Sequence, residues 1–229
     1  MGHDAGRLAA VREGLAQVLE RMEDLWSRAS CSRAIARLRW RACGFYGLRQ
    51  GEMLGSGPAS QPFLAEVASN AAGDLLRFVG GEGRALGAGD LYLGNDPRVG
   101  GGGLDDLCFL APAFAEGTLV GLLGMAGSYP TVSRGGIRLA PDLRHEGTVI
   151  PWVRIRAAGR PVPELLGVLG ENLGLAEAFA GEVELIARVL AAGEEGIAAL
   201  CARYGREACL GAFDALRAGC EAGLDRLLA

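Results

Sequence analysis

Between residues 107 and 127 the chain reads "LCFLAPAF", then Glu116-Gly117, then "TLVGLLGMAG", two mainly apolar runs meeting at a dipeptide suited to a tight turn. The pattern predicts a hairpin of two buried strands, a pair that belongs inside the fold. Length and composition allow it. With 229 residues, 50% of them apolar, the chain can bury a sizeable core as one large domain or as one domain with a helical appendage.

On either side of the hairpin the periodicity is helical. Residues 5–26 space Leu8, Val11, Leu15, Val18, Met22 and Leu25 by threes and fours, an apolar stripe that needs a partner. The stretch "ACGFYGLRQGEMLGSG" predicts a strand, a turn at Arg49-Gln50-Gly51 and a return strand, and leads into the loop "GSGPASQP". Residues 63–79 return to helical spacing through Phe63, Val67, Ala71 and Leu75, before a break at "GGEGRALGAGD". "DLYLGNDP" predicts a strand running into an Asx-Pro turn, and "GTVIPWVRIRAAGRPVPEL" a further extended stretch with alternation at Val153 and Ile155.

The last zone carries two helical stripes, Val183, Ile186, Leu190, Ile197, Leu200 and Tyr204, then Leu210, Phe213, Leu216, Cys220 and Leu224. Gly193 and Gly196 interrupt the first, and each costs about 1 kcal/mol against alanine if the helix interior is exposed. The order is helix, hairpin, helix, strand-rich centre and helical C-terminal pair. That order predicts a mixed α/β (α+β) fold, with residues 1–170 as an α/β core and 171–229 as a helical segment packed on it or on a partner.

Charge and residue usage exclude several functions. A net charge of −4 gives no electrostatic reason to bind nucleic acid, and no apolar run is long enough to span a membrane. The N-terminus carries charges where a signal peptide needs an apolar region, so cytoplasm is the expected compartment. All 23 basic residues are arginine, which removes Schiff-base chemistry, a Walker lysine and a lysine base. The six cysteines show no C-x-x-C pairing and read as small buried hydrophobes; Cys108, in an apolar strand, reads as packing. The two histidines, His3 and His145, cannot build a histidine-rich metal site, and His145 reads as a surface or structural histidine.

The stretch "GNDPRVGGGGLDDL", residues 94–107, concentrates the candidate site. Asn95, Asp96 and Pro97 read first as turn chemistry, since Asn and Asp bond their own backbone, and second as catalytic groups. Gly100 to Gly103 read as a tightly turned loop using positive φ, or as a backbone-amide anion cradle. Asp105 and Asp106 read as a capped turn or solvated pair, or with Asp96 as a carboxylate-only cation site. Arg98 and Arg134 flank the glycine loops and could hold a carboxylate or phosphate bidentately, with Gly101, Gly102, Gly103, Gly135 and Gly136 as the backbone around the ligand.

Several separated blocks resemble the hydantoinase B family, which also includes the second part of 5-oxoprolinase and a large subunit of acetone and acetophenone carboxylases. They are Gly89-Asp90, Asn95-Asp96-Pro97, Gly100-Gly101, Asp106, the Gly117 hairpin, the Gly135-Gly136 pair, "EGTVIPWVRI", Glu171-Asn172, "GEEGIAALCARYG" and, upstream, "ACGFYGLRQGEMLGSGP". The resemblance implies a G-G-x-H-x-x-D loop in which the histidine and aspartate of metal-using members reach a divalent ion. Here Gly103 stands at the histidine position and Asp106 at the aspartate position. A second histidine-bearing segment corresponds to "GMAGSYPTVSRGG", with Ser128 and Tyr129 near the lost imidazoles, and a third to "GSGPASQPF"; neither has a histidine.

The resemblance therefore implies a shortened, histidine-depleted member. It is expected to bind no cofactor itself, ATP and any divalent metal belonging to a partner subunit, with Asp106 the residual metal candidate. The expected role is an auxiliary or pseudo-catalytic subunit beside a hydantoinase A-like or full-length hydantoinase B-like chain. The alternatives are an active subunit of an ATP-dependent cyclic-amide hydrolase or related carboxylase whose site a partner completes, and a small-molecule binding module built on the glycine loop. The C-terminal stripes also suit self-association into a homo-oligomer.

Overall fold

The computed structural model describes residues 2–100, 102–130 and 142–228. Along the chain run α1 (Gly2–Ala29), α2 (Arg33–Leu38), β1 (Arg41–Tyr46), β2 (Met53–Ser56), α3 (Pro62–Gly81), β3 (Leu91–Gly94), α4 (Pro97–Gly100), β4 (Asp106–Ala115) and β5 (Thr118–Ser128). Then come α5 (Leu143–Glu146), β6 (Val153–Ala157), β7 (Arg160–Pro161), α6 (Pro163–Asn172), α7 (Ala176–Tyr204) and α8 (Arg206–Leu228). The fold is mixed α+β, and its strands form one sheet of order β2-β1-β5-β4-β3-β6-β7 with every pair antiparallel.

The predicted apolar hairpin is the β4–β5 pair at the middle of that sheet. Glu116 and Gly117 both take positive φ, 51° and 73°, the geometry of a type I′ turn that matches strand twist. Side chains alternate between two cores. Cys43, Phe45, Leu107, Phe109, Leu123 and Met125 face the core shared with α1, α7 and α8, whereas Tyr46, Cys108, Leu110, Leu122 and Ala126 face α3. Helices cover both faces, so neither strand keeps a polar side.

Two helical stripes hold at most positions, Val11, Leu15 and Met22 in α1 and Val67, Ala71 and Leu75 in α3 being buried, and depart at one residue each. In α1 the buried line is Val11, Leu15, Leu19, Met22 and Trp26, while Leu25 is 40% exposed. Trp26 takes the inward position because its indole has a buried acceptor to reach. In α3, Leu64 is buried and Phe63 lies outside the stripe at 57% exposure. The C-terminal stripes place Val183, Ile186, Leu190, Ile197 and Phe213 in the large core; the side chains of Cys220 and Leu224 lie outside the described residues.

Gly193 and Gly196 are not weak points of an exposed helix face. A Cβ on Gly193 would stand 2.5 Å from Met22 Sδ, and one on Gly196 would stand 2.6 Å from Val18 Cγ2. On the facing helix, a Cβ on Gly14 would meet Leu200 Cδ2 at 2.4 Å. The three glycines let α1 and α7 interlock at close range.

One buried carboxylate fastens that seam to the sheet. Glu182 of α7, 2% exposed, accepts hydrogen bonds from Trp26 Nε1 (3.0 Å), Ser30 Oγ (2.7 Å), Tyr129 OH (2.7 Å) and the Cys31 amide (2.7 Å). Burial, with Glu182 beside them, holds the Tyr129 hydroxyl well above its ordinary range and pushes the Cys31 thiol to about 12, so both stay protonated. Glu182→Ala strands four donors and is expected to lower the unfolding free energy by about 3 kcal/mol. In the same urea titrations Glu195→Ala, on the exposed side of α7, should stay within about 0.5 kcal/mol of the parent.

Candidate functional site

Antiparallel pairing brings several connections to one end of the sheet. β3 runs out into Asn95, β4 begins at Asp106 opposite Ser128, and β1 begins at Arg41 opposite Gly127. The described residues of the loop 95–105, the segment 147–152 and the middle of α3 gather around the carboxyl end of β3. The candidate residues of the Asn-Asp-Pro and glycine stretch lie here; Gly101, Arg134, Gly135 and Gly136 lie outside the described residues.

Asn95 does not bond its own turn. It is 5% exposed, and its Nδ2 donates to the carbonyls of Leu104 (2.8 Å) and Thr148 (3.0 Å), while its Oδ1 accepts the Ile150 amide (2.6 Å). One side chain thus ties both ends of the glycine loop to the segment before β6. The local-turn reading of this residue is corrected, because the amide group reaches backbone brought in by sheet pairing rather than its own neighbours.

Asp96 behaves as a cap. Its carbonyl accepts the Val99 and Gly100 amides at 3.0 and 3.2 Å, opening α4, and its Oδ1 accepts the Arg98 amide at 3.0 Å. The Arg98 guanidinium then closes on the same carboxylate through Nε (2.8 Å) and Nη2 (2.6 Å), a bidentate pair that holds the Asp96 carboxyl below its ordinary value. Arg98 turns its fork onto the protein's own carboxylate.

Gly100, Gly102 and Gly103 take no positive φ, so turn strain is not what these three positions answer. Close approach is. Cβ atoms on Gly100 and Gly102 would stand 3.2 Å from Val67 Cγ1, and one on Gly102 would also stand 3.0 Å from Asp106 Oδ2. Gly103 differs: a Cβ there would meet only Asp106 Oδ2 at 3.6 Å and the Asp105 amide at 4.0 Å, so the position has room for a side chain.

The Gly103 amide donates to Asp106 Oδ2 at 2.8 Å. The anion that this loop amide holds is the chain's own carboxylate. Asp106 is 9% exposed, and burial, only partly offset by that bond, raises its carboxyl above the ordinary range. The Asp105 carbonyl accepts the Tyr129 amide at 2.7 Å. Cys108 is buried, and burial with Asp106 nearby pushes its thiol to about 12, so it is a packing group and not a nucleophile. His145 sits on the surface, its Nδ1 2.8 Å from Asp142 Oδ1.

These elements enclose a pocket of about 180 Å³. Val67, Ala71 and Phe78 of α3 form one wall, Asn95, Asp96, Val99, Gly100, Gly102 and Gly103 the rim, Asp106 and Cys108 the floor, and Ile150 and Trp152 the far side. Sequence patterning did not single out Trp152 or Asp74. The indole Nε1 donates to Asp74 Oδ2 at 2.9 Å, and the ring lies over Gly94, where a Cβ would come within 3.0 Å of Trp152 Cε3. Only the absence of a side chain at Gly94, inside an apolar strand, could have pointed to it.

The donor set of the described residues around this pocket does not fit a divalent metal. Among the described residues no three His, Cys, Asp or Glu side chains gather as ligands. At the positions discussed above, Gly103 offers no ligand, Asp106 stands with one oxygen on an amide, and Asp96 is closed by Arg98.

An antiparallel sheet wrapped in helices, with this Asn-Asp-Pro and glycine-loop pocket at one end, defines a protein of the hydantoinase B type. The chain belongs to the hydantoinase B/oxoprolinase family, whose sequence profile matches residues 4–229. In structure it is similar to the ATP-dependent caprolactamase of Pseudomonas jessenii, with a TM-score of 0.80 and 22% identity over 96% of this chain and 38% of that one. It is also similar to acetone carboxylase in its nucleotide-free structure, with a TM-score of 0.72 and 15% identity over 90% of this chain and 27% of that one. An uncharacterized protein of Methanocaldococcus jannaschii is 28% identical over 120 residues, which is 51% of this chain and 21% of that protein. The chain thus spans well under half the length of these relatives.

Asn95→Ala removes partners from three backbone groups and is expected to cost about 2–3 kcal/mol in urea unfolding, whereas Gly103→Ala should fall within about 0.5 kcal/mol. The raised Asp106 carboxyl means that the folded chain takes up this proton more readily than the unfolded one. Its contribution to stability is full below the unfolded pKa and is lost as pH rises through the folded one. Asp106→Asn keeps an acceptor for the Gly103 amide and is expected to match or exceed the parent at neutral pH. That margin should shrink as the pH falls to about 4, as read from urea midpoints at both pH values.

Proposed function

We propose that this chain serves as an auxiliary, non-catalytic hydantoinase B-like component of a larger assembly. The reading rests on one observation above all. At the loop where the family resemblance implies a histidine and an aspartate on a metal, Gly103 has no side chain and Asp106 is turned onto the Gly103 amide. A lone buried carboxylate neither holds a divalent ion firmly nor activates water.

The two solved structures named above are described as ATP-dependent, and this chain has no lysine to place on a triphosphate. In the assembly proposed here, nucleotide and metal chemistry belong to a hydantoinase A-like or full-length hydantoinase B-like partner, and this chain contributes framework and contact surface. No helix among the described residues is long and apolar enough to cross a membrane.

Elemental analysis tests this directly. The chain purified alone is expected to carry no stoichiometric divalent metal, and metal should appear only when it co-purifies with a hydantoinase A-like or B-like partner. Stoichiometric metal on the isolated chain, lost on Asp106→Asn, would return the catalytic role to this subunit.

A further inference from the structure

The pocket beneath α3 is built for a ligand that brings hydrogen-bond donors and positive charge. Its volume of about 180 Å³ resembles that of a cavity of about 150 Å³ that takes benzene, so an occupant has about six to eight heavy atoms. Most of the wall is apolar, with Val67, Phe78, Val99, Ile150 and Trp152 presenting carbon.

The charged groups in that wall are all acidic: Asp74, Asp96 and Asp106. Two of them are already engaged. Asp96 holds the Arg98 fork, and Asp74 takes the Trp152 indole and, at 3.2 Å, the Arg77 guanidinium. Asp106 is different, since it is only 9% exposed, lines the cavity, and has no cation paired with it among the side chains described. A carboxylate in that position is stabilised by any cation that can enter with an apolar body behind it.

We propose that this pocket binds a primary alkylammonium group, its NH₃⁺ on the Asp106 carboxylate and its chain among Val67, Val99 and Trp152. An ammonium group supplies three donors and no acceptor, which suits a wall whose charged groups are carboxylates. The Trp152 indole, fixed through Asp74, lines the same pocket and offers the alkyl chain an apolar surface. Carboxylate and phosphate ligands are disfavoured, since Arg98 is committed to Asp96 and the Gly103 amide to Asp106. The inference stands whether or not a catalytic partner exists.

Isothermal titration of the full chain with pentylammonium, pentanol and valerate tests it. Pentylammonium is expected to bind with a Kd on the order of 1 mM or tighter, pentanol about tenfold more weakly, and valerate not measurably. Asp106→Asn should weaken pentylammonium at least about tenfold. Gly103→Phe, at the exposed rim where a Cβ has room, should block entry while circular dichroism shows the fold retained.

Absent pentylammonium binding, equal binding of valerate, or undiminished binding in either variant overturns the proposal. Nα-acetyllysine methylamide carries the same ammonium on a peptide backbone. Tighter binding of that probe than of pentylammonium assigns the group to a protein lysine, and weaker binding assigns it to a free amine.

Discussion

The fold depends on one constraint: the central β4–β5 hairpin has no face it can show to water. Phe109, Leu110, Leu122, Leu123 and Met125 are all buried, alternately in the two cores. Removing a large apolar side chain from water contributes about 1.5–3 kcal/mol, and the gain is realised on both sides only if helices arrive from both directions. α3 covers one face, and α1 with α7 covers the other. Gly121 and Gly124 complete the fit, since Cβ atoms there would fall within 2.3 Å of Phe45 Cζ and 2.6 Å of Tyr46 Cε2.

At the end of the sheet the same economy governs the polar groups. Asn95 satisfies three backbone groups from two connections, Asp96 caps a helix and accepts Arg98, and Asp106 accepts a loop amide. Side chains that a sequence reader would assign to a substrate or an ion are largely turned on one another. What remains is a mostly apolar cavity in whose wall Asp106, alone of three carboxylates, has no cation paired with it among the described side chains.

Much of this was legible in the sequence where the cause is local. The Glu116-Gly117 turn, the apolar strands beside it and the helix, hairpin, helix order follow from turn chemistry and periodicity, and they agree with the structure. Failures fall where the cause is distant. Leu25 and Trp26 compete for the inside of α1, and Glu182, far along the chain, gives Trp26 the place. Asn95 resembles a turn residue until β6 brings Ile150 beside it. Gly193 and Gly196 resemble helix-weakening residues until α1 is laid against them. The Trp152–Asp74 bond joins a loop to mid-α3 and left no local pattern.

The seam between α1 and α7 also orders events in time. Gly14 lies against Leu200, Val18 against Gly196 and Met22 against Gly193, contacts that join nearly opposite ends of the sequence. During synthesis α1 is made well before α7, and its buried stripe has no matching surface until α7 has followed. Loops of that length close slowly, and Trp26 and Met22 stay in contact with water throughout. Closure of the larger core therefore waits for α7, which is made only after all seven strands of the sheet.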